Sequence, residues 1–165
     1  MNYAQMRQFD VANGVGIRST LFLSGCSFHC PGCFNAEYQD FKYGTLWTKE
    51  SEDQFISYLQ HPRNDGASIL GGEPFQQDEI VFHSLLRRIK EETNKSIWVW
   101  TGYQFEDLVK NRQNDLQYID VIVDGQFIEN LRDMRLQFRG SSNQRIIDVQ
   151  KSLQENKMIL WGGNM

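Results

Sequence analysis

Three cysteines, Cys26, Cys30 and Cys33, stand in one short stretch, Gly25-Cys26-Ser27-Phe28-His29-Cys30-Pro31-Gly32-Cys33-Phe34-Asn35, and the chain has no others. Their spacing is C-x3-C-x2-C. Thiolates this close in sequence can hold a metal centre. An iron–sulfur cluster ligated by three cysteines leaves one iron without a protein ligand, and that iron can bind a small molecule. Two other chemistries use the same residues. Structural zinc would take His29 as its fourth ligand, although His29 adjoins Cys30 and ordinary zinc ligand pairs are spaced further apart. A redox dithiol at Cys30-Pro31-Gly32-Cys33 would leave Cys26 idle.

The elements that must position this loop follow from hydrophobic pattern. Residues 18–23 read as a strand ending at Ser24-Gly25, directly before the cysteines. Residues 67–70 and 97–100 and the run Asp120-Val121-Ile122-Val123 read as further strands, with candidates at 145–149 and 158–161. Between them lie amphipathic stretches. Residues 51–60 open on Ser51-Glu52-Asp53-Gln54, a capping-box pattern, and His61-Pro62 stops them. Residues 78–93 place Val81, Leu85 and Ile89 in one row, and Phe105, Leu108 and Val109 mark a short third helix.

Strand–helix alternation predicts an α/β fold with a mainly parallel sheet. Four strands end in glycine-bearing loops, at Gly25, Gly71-Gly72, Gly102 and Gly125. In α/β folds ligands bind at the carboxyl ends of strands. A closed eight-stranded barrel needs about 250 residues. The expectation is therefore an incomplete, open (β/α) barrel of about five to six strands in one domain over residues 1–165.

Composition excludes several classes. Apolar residues make up 40% of the chain and the net charge is −4, ordinary for a soluble protein. Arg87-Arg88-Ile89-Lys90 runs at once into Glu91-Glu92, a solvated helix face, which argues against nucleic-acid binding. No apolar run has the length of a membrane span. The opening Met1-Asn2-Tyr3-Ala4-Gln5 lacks the pattern of a secretory signal, so a cytoplasmic location is expected, where thiols stay reduced.

The C-x3-C-x2-C loop after a strand resembles the signature of the radical S-adenosylmethionine enzymes. Gly71-Gly72-Glu73-Pro74, closing the second strand read above, resembles their Gly-Gly-Glu-Pro motif. Three further stretches narrow the resemblance: residues 13–26, residues 98–102 and Asp120-Val121-Ile122-Val123-Asp124-Gly125-Gln126-Phe127. With the segment Arg139-Gly140-Ser141-Ser142-Asn143-Gln144-Arg145-Ile146-Ile147-Asp148-Val149, these resemble glycyl-radical-enzyme activases, in the branch acting on anaerobic ribonucleoside-triphosphate reductase.

The resemblance implies a 4Fe–4S cluster on Cys26, Cys30 and Cys33. It implies S-adenosylmethionine chelated to the fourth iron and cleaved reductively to a 5′-deoxyadenosyl radical. Gly71, Gly72, Glu73 and Pro74 would hold the amino group of the cofactor, and Thr101 and Gly102 would contact its methionine or ribose part or simply close the strand as a turn. Gly32 stands where many members carry an aromatic residue beside the adenine; the resemblance implies that glycine is usual there in this branch, with Phe34, just beyond the loop, as a candidate cofactor contact. The implied partners are the large subunit of the reductase, as protein substrate, and an electron donor such as a flavodoxin or ferredoxin. The alternatives are activation of another glycyl radical enzyme, a small-molecule reaction, and a zinc-binding module without catalysis. Trp98 and Trp100 are expected in the core, Arg18 either neutralising a carboxylate or standing as an ordinary strand-edge cation, and Asp124 and Gly125 either lining the site or capping a loop.

Overall fold

Seven strands form one sheet in the computed structural model, which describes residues 1–163. Asn164 and Met165, the end of the expected domain, lie outside the described residues. The strands are β1 (Asn2–Asp10), β2 (Arg18–Ser24), β3 (Thr45–Leu46), β4 (Gly66–Gly71), β5 (Ser96–Trp100), β6 (Val121–Asp124) and β7 (Arg145–Asp148). Their order across the sheet is β3-β1-β2-β4-β5-β6-β7. The central neighbours β2, β4, β5 and β6 are parallel, while β1 and β7 run antiparallel to the strands beside them. Among the described residues β3 and β7 do not pair, so the sheet is open.

The described residues hold five α-helices, four of them between strands: α1 (Lys49–Leu59), α2 (Glu79–Thr93), α3 (Phe105–Asn111) and α4 (Gln113–Leu116), with α5 (Val149–Glu155) after β7. All five pack on one face of the sheet. There Leu21, Leu23, Ala67, Ile69, Ile97, Val99, Ile122 and Ile147 meet Phe55, Leu59, Phe82, Leu85, Leu86, Ile89, Leu108 and Val149. The period of two along a strand puts alternate residues on the other face. That face carries Trp98, Trp100, Val121, Val123 and Ile146, and it is covered by chain without regular structure, through Val15, Phe138 and Trp161. Helix propensity leaves α2 marginal alone. Leu85, Leu86 and Ile89 are fully buried, each worth ~2 kcal/mol, so packing holds α2 in place.

Several expectations change. The strand at 18–24 is the second in the chain. Asn2–Asp10 precedes it as a strand between β2 and the short β3, with Tyr3 and Met6 half-buried and Gln8 and Phe9 exposed. Its polar sequence hides it from a hydrophobic pattern, and two register shifts break the alternation. Residues 158–161 form no strand; their pairing with β7 is an isolated bridge, Leu160 to Ile147. The first helix starts earlier than expected. Thr48 is its N-cap, and the capping box is the reciprocal pair Thr48 and Ser51. Asp78 caps α2 by accepting from the Val81 N–H.

Arg18 is not a surface cation. It is 1% exposed and lies under the sheet at the amino ends of the strands. Its Nε donates to Ser68 Oγ at 2.8 Å, Nη1 to the Val15 carbonyl at 3.1 Å, and Nη2 to the carbonyls of Ala67 and Ser96 at 2.9 and 3.1 Å. Burial pushes its pKa down to about 10, so it remains charged at neutral pH.

Candidate metal and cofactor site

A cavity of about 610 Å³ lies at the carboxyl ends of the parallel strands, on the face without α-helices. Cys26, Cys30 and Cys33 line it, with Phe34, Gly71, Gly72, Glu73, Thr101, Gly102 and Gly125. These residues come from the end of β4 and the loops after β2, β4, β5 and β6. Residues far apart in the chain thus meet because parallel strands place their carboxyl ends side by side.

The cysteine loop is held from both sides. The N–H groups of Gly25 and Cys26 donate to the carbonyls of Tyr38 and Gln39 at 2.7 and 3.0 Å. Gln76, beyond β4, accepts from the Ser27 N–H and donates to the Ser27 hydroxyl, both at 2.8 Å. Phe28 packs edge-on against Tyr103 at 4.9 Å between ring centroids. Gly72 lies against the loop so closely that a Cβ there would sit 2.5 Å from the Gly25 carbonyl oxygen. Gly71 has a φ of 118°, a left-handed conformation that side chains resist. The two glycines thus let the end of β4 pass against the backbone that starts the cysteine loop.

All three thiols are free and half-buried. Burial pushes the Cys26 and Cys30 thiols up, with the Glu73 carboxylate adding to the effect at both. A metal must displace those protons to bind. Among the described residues, no three His, Cys, Asp or Glu side chains converge on a single-ion position. His29 is exposed, outside the cavity lining, and its Nδ1 pairs with Gln39 Oε1 at 2.8 Å. The donor set that remains, three thiols around one cavity, suits an iron–sulfur cluster with one iron open to a ligand.

Glu73 is the most constrained acid of the site. It is 1% exposed. Its carboxylate accepts from the Gly102 N–H at 2.6 Å, the Phe75 N–H at 2.9 Å and the Thr101 hydroxyl. Burial raises its pKa to about 7, against the pull of these donors towards the charged form. Glu73 therefore ties the end of β4 to the end of β5. Pro74 does not line the cavity; it is buried at the head of a 3₁₀ turn, Pro74–Gln76, where proline's fixed φ fits. Behind the turn, Arg112 donates to the Phe75 carbonyl at 2.8 Å and pairs with Asp115.

Other expected positions divide. Gly125 lines the cavity, but Asp124 turns away. It accepts from the Phe105 N–H at 2.8 Å and pairs with Arg145, capping α3. Trp98 is fully buried, whereas Trp100 lines the cavity. Phe34 is 56% exposed at the rim, against Phe127 and beneath the Arg132 guanidinium, 4.8 Å from the ring centroid.

The sequence reading missed one wall. Gln126, Phe127, Met134, Leu136, Phe138 and Arg139 line the cavity from the segment between β6 and β7. The turn at 139–144 holds this wall: Gln144 accepts from the N–H groups of Gly140 and Ser141 and donates to the Gly125 carbonyl. The signal was present in Arg139-Gly140-Ser141-Ser142-Asn143-Gln144, but no periodicity says which surface an irregular segment covers.

Residues 12–147 match the family model described as a 4Fe-4S single cluster domain. An anaerobic ribonucleoside-triphosphate reductase-activating protein of Vibrio cholerae serotype O1 is 43% identical over 150 residues, 88% of this chain and 97% of that one. The protein of the same name from Escherichia coli strain K12 is 42% identical over 87% of this chain and 96% of its own. That of Enterobacteria phage T4 is 36% identical over 88% and 93%. No helix of the described residues is long and apolar enough to cross a membrane. The cysteine-lined cavity at the strand ends is thus the centre of a chain that belongs to the 4Fe-4S single cluster domain family and, within it, to the anaerobic ribonucleoside-triphosphate reductase-activating proteins.

Proposed function

We propose that this chain is a radical S-adenosylmethionine activase that generates a glycyl radical on the large subunit of an anaerobic ribonucleoside-triphosphate reductase. One observation carries the reading: the three cysteines share a single cavity with Gly71, Gly72, Glu73, Thr101 and Gly102. When bound, a 4Fe–4S cluster would supply the electron that cleaves S-adenosylmethionine, and the resulting 5′-deoxyadenosyl radical would take a hydrogen atom from a glycine Cα.

Cys26, Cys30 and Cys33 would hold the cluster and leave one iron for the cofactor. The backbone at Gly71 and Gly72 would receive the cofactor's amino group, with Glu73 holding that turn against Thr101 and Gly102. Pro74 would fix the exit of the turn, and Phe34 would offer an aromatic face at the rim. The apolar wall formed by Trp100, Leu136 and Phe138 would keep water from the reacting atoms. The mouth of the cavity is open, which suits a peptide of a partner protein.

The fold we propose is an incomplete (β/α) barrel in one domain, supported by α-helices on one face only and the cavity on the other. An electron donor such as a flavodoxin or ferredoxin and a cytoplasmic setting complete the proposal. The test mixes the anaerobically reconstituted protein and S-adenosylmethionine with the reductase of the same source, under reducing conditions. A glycine-centred EPR doublet on the reductase is expected, with deuterium from the target glycine appearing in 5′-deoxyadenosine. Normal cofactor cleavage without either signal would overturn the reading in favour of another substrate.

A further inference from the structure

Gln126 follows β6 and borders both the site cavity and a neighbouring groove. Its Oε1 lies 3.8 Å from Cys30 Sγ, where it accepts from the thiol. The backbone here is fixed from outside the loop: Asn143 Nδ2 donates to the Gln126 carbonyl at 2.8 Å, and Gln144 Nε2 to the Gly125 carbonyl at 3.0 Å. Gln126 is therefore held beside one particular cysteine by a distant segment of the chain.

The contact must reverse its polarity when Cys30 carries iron. A thiol can donate, but a thiolate can only accept. A half-turn of the terminal amide exchanges Oε1 for Nε2, which has protons to give. We propose that Gln126 is a positioning residue that donates its side-chain N–H to the Cys30 thiolate and raises the reduction potential of the cluster. Reduction adds negative charge to the cluster and its sulfurs. A donor at a ligating sulfur stabilises the reduced state more than the oxidised one, and hydrogen bonds to sulfur are among the determinants of cluster potentials. The proposal rests on the cluster reading of the site, and not on the identity of the cofactor or partner.

The test is an EPR-monitored redox titration of the anaerobically reconstituted protein, without S-adenosylmethionine, after iron and sulfide analysis. Gln126→Leu should keep a full cluster and lower the one-electron reduction equilibrium about tenfold, a shift of ~59 mV to more negative potential. Gln126→Glu has the same size but presents a carboxylate that only accepts, so it should shift the potential in the same direction. Native potential in both variants, with full clusters, would overturn the proposal. So would failure of both variants to assemble a cluster, which would make Gln126 an assembly residue. Absence of iron and sulfide from the native protein would instead overturn the cluster reading itself.

Discussion

The hydroxyl of Thr101 stands 3.0 and 2.9 Å from the two carboxylate oxygens of Glu73, joining the loops after two neighbouring parallel strands. The Thr101 N–H in turn donates to the Val123 carbonyl at 2.9 Å, so the same threonine reaches β6. A single residue thereby couples the ends of three strands at the wall of the cavity.

This arrangement predicts how stability depends on pH. Glu73 titrates at about 7 in the folded protein against an ordinary 4.5. The folded state therefore binds its proton more tightly than the unfolded state does. Its contribution to stability is fully present below about pH 4.5 and is lost as pH rises through 7. Thermal unfolding of the metal-free Glu73→Gln variant should lack this part of the decline across that window. Thr101→Val removes a donor to the charged form and should raise the Glu73 pKa further. An unchanged pH profile in Glu73→Gln would show that the carboxyl is not held as described.

Cys26, Cys30 and Cys33 should contribute to one cluster, since each lines the same cavity. Alanine at any one of them should remove most of the iron and all cleavage of S-adenosylmethionine. Iron and sulfide content after anaerobic reconstitution, with 5′-deoxyadenosine as product, measures both. Native cleavage in any of the three variants would exclude the assignment.

Gly72→Ala should act on the cysteine loop before it acts on any ligand. A Cβ at this position meets the Gly25 carbonyl oxygen at 2.5 Å and the Gly25 nitrogen at 2.9 Å. That clash is with backbone, which cannot rotate away as a flexible side chain can. The variant should lose iron as well as cofactor affinity. A fully loaded cluster with unaltered EPR response to S-adenosylmethionine would contradict the packing at this contact.

Arg18→Ala should be among the most destabilising single changes. It strips hydrogen bonds from the buried carbonyl of Ala67 and the buried hydroxyl of Ser68, and it empties a fully buried volume beside Trp98. A loss of at least ~3 kcal/mol in urea unfolding is expected. Arg18→Lys should recover only part of it, because an ammonium cannot reproduce the planar fork. A loss below about 1 kcal/mol in Arg18→Ala would mean that the strands close without their buried cation.

The sequence by itself determined the chemical centre: C-x3-C-x2-C lies on one loop, and Gly71-Gly72-Glu73-Pro74 is a contiguous turn. It also determined the four central strands, because each is an apolar run with a glycine near its end. These features are local, and local spacing records them. Tertiary structure decided the rest. Asn2–Asp10 is a strand only because β2 offers an edge to pair with; its own residues carry little apolar alternation. Trp98 and Trp100 share a face of β5, yet Phe138 and Trp161 pack on the first while the second lines the cavity. Asp124 turns to the start of α3 and to Arg145, while Gly125 beside it faces the site. Gln126 meets Cys30 only because the 139–144 turn fixes the backbone of its loop. Periodicity states which face a residue occupies, but what covers that face depends on contacts between segments far apart in the chain.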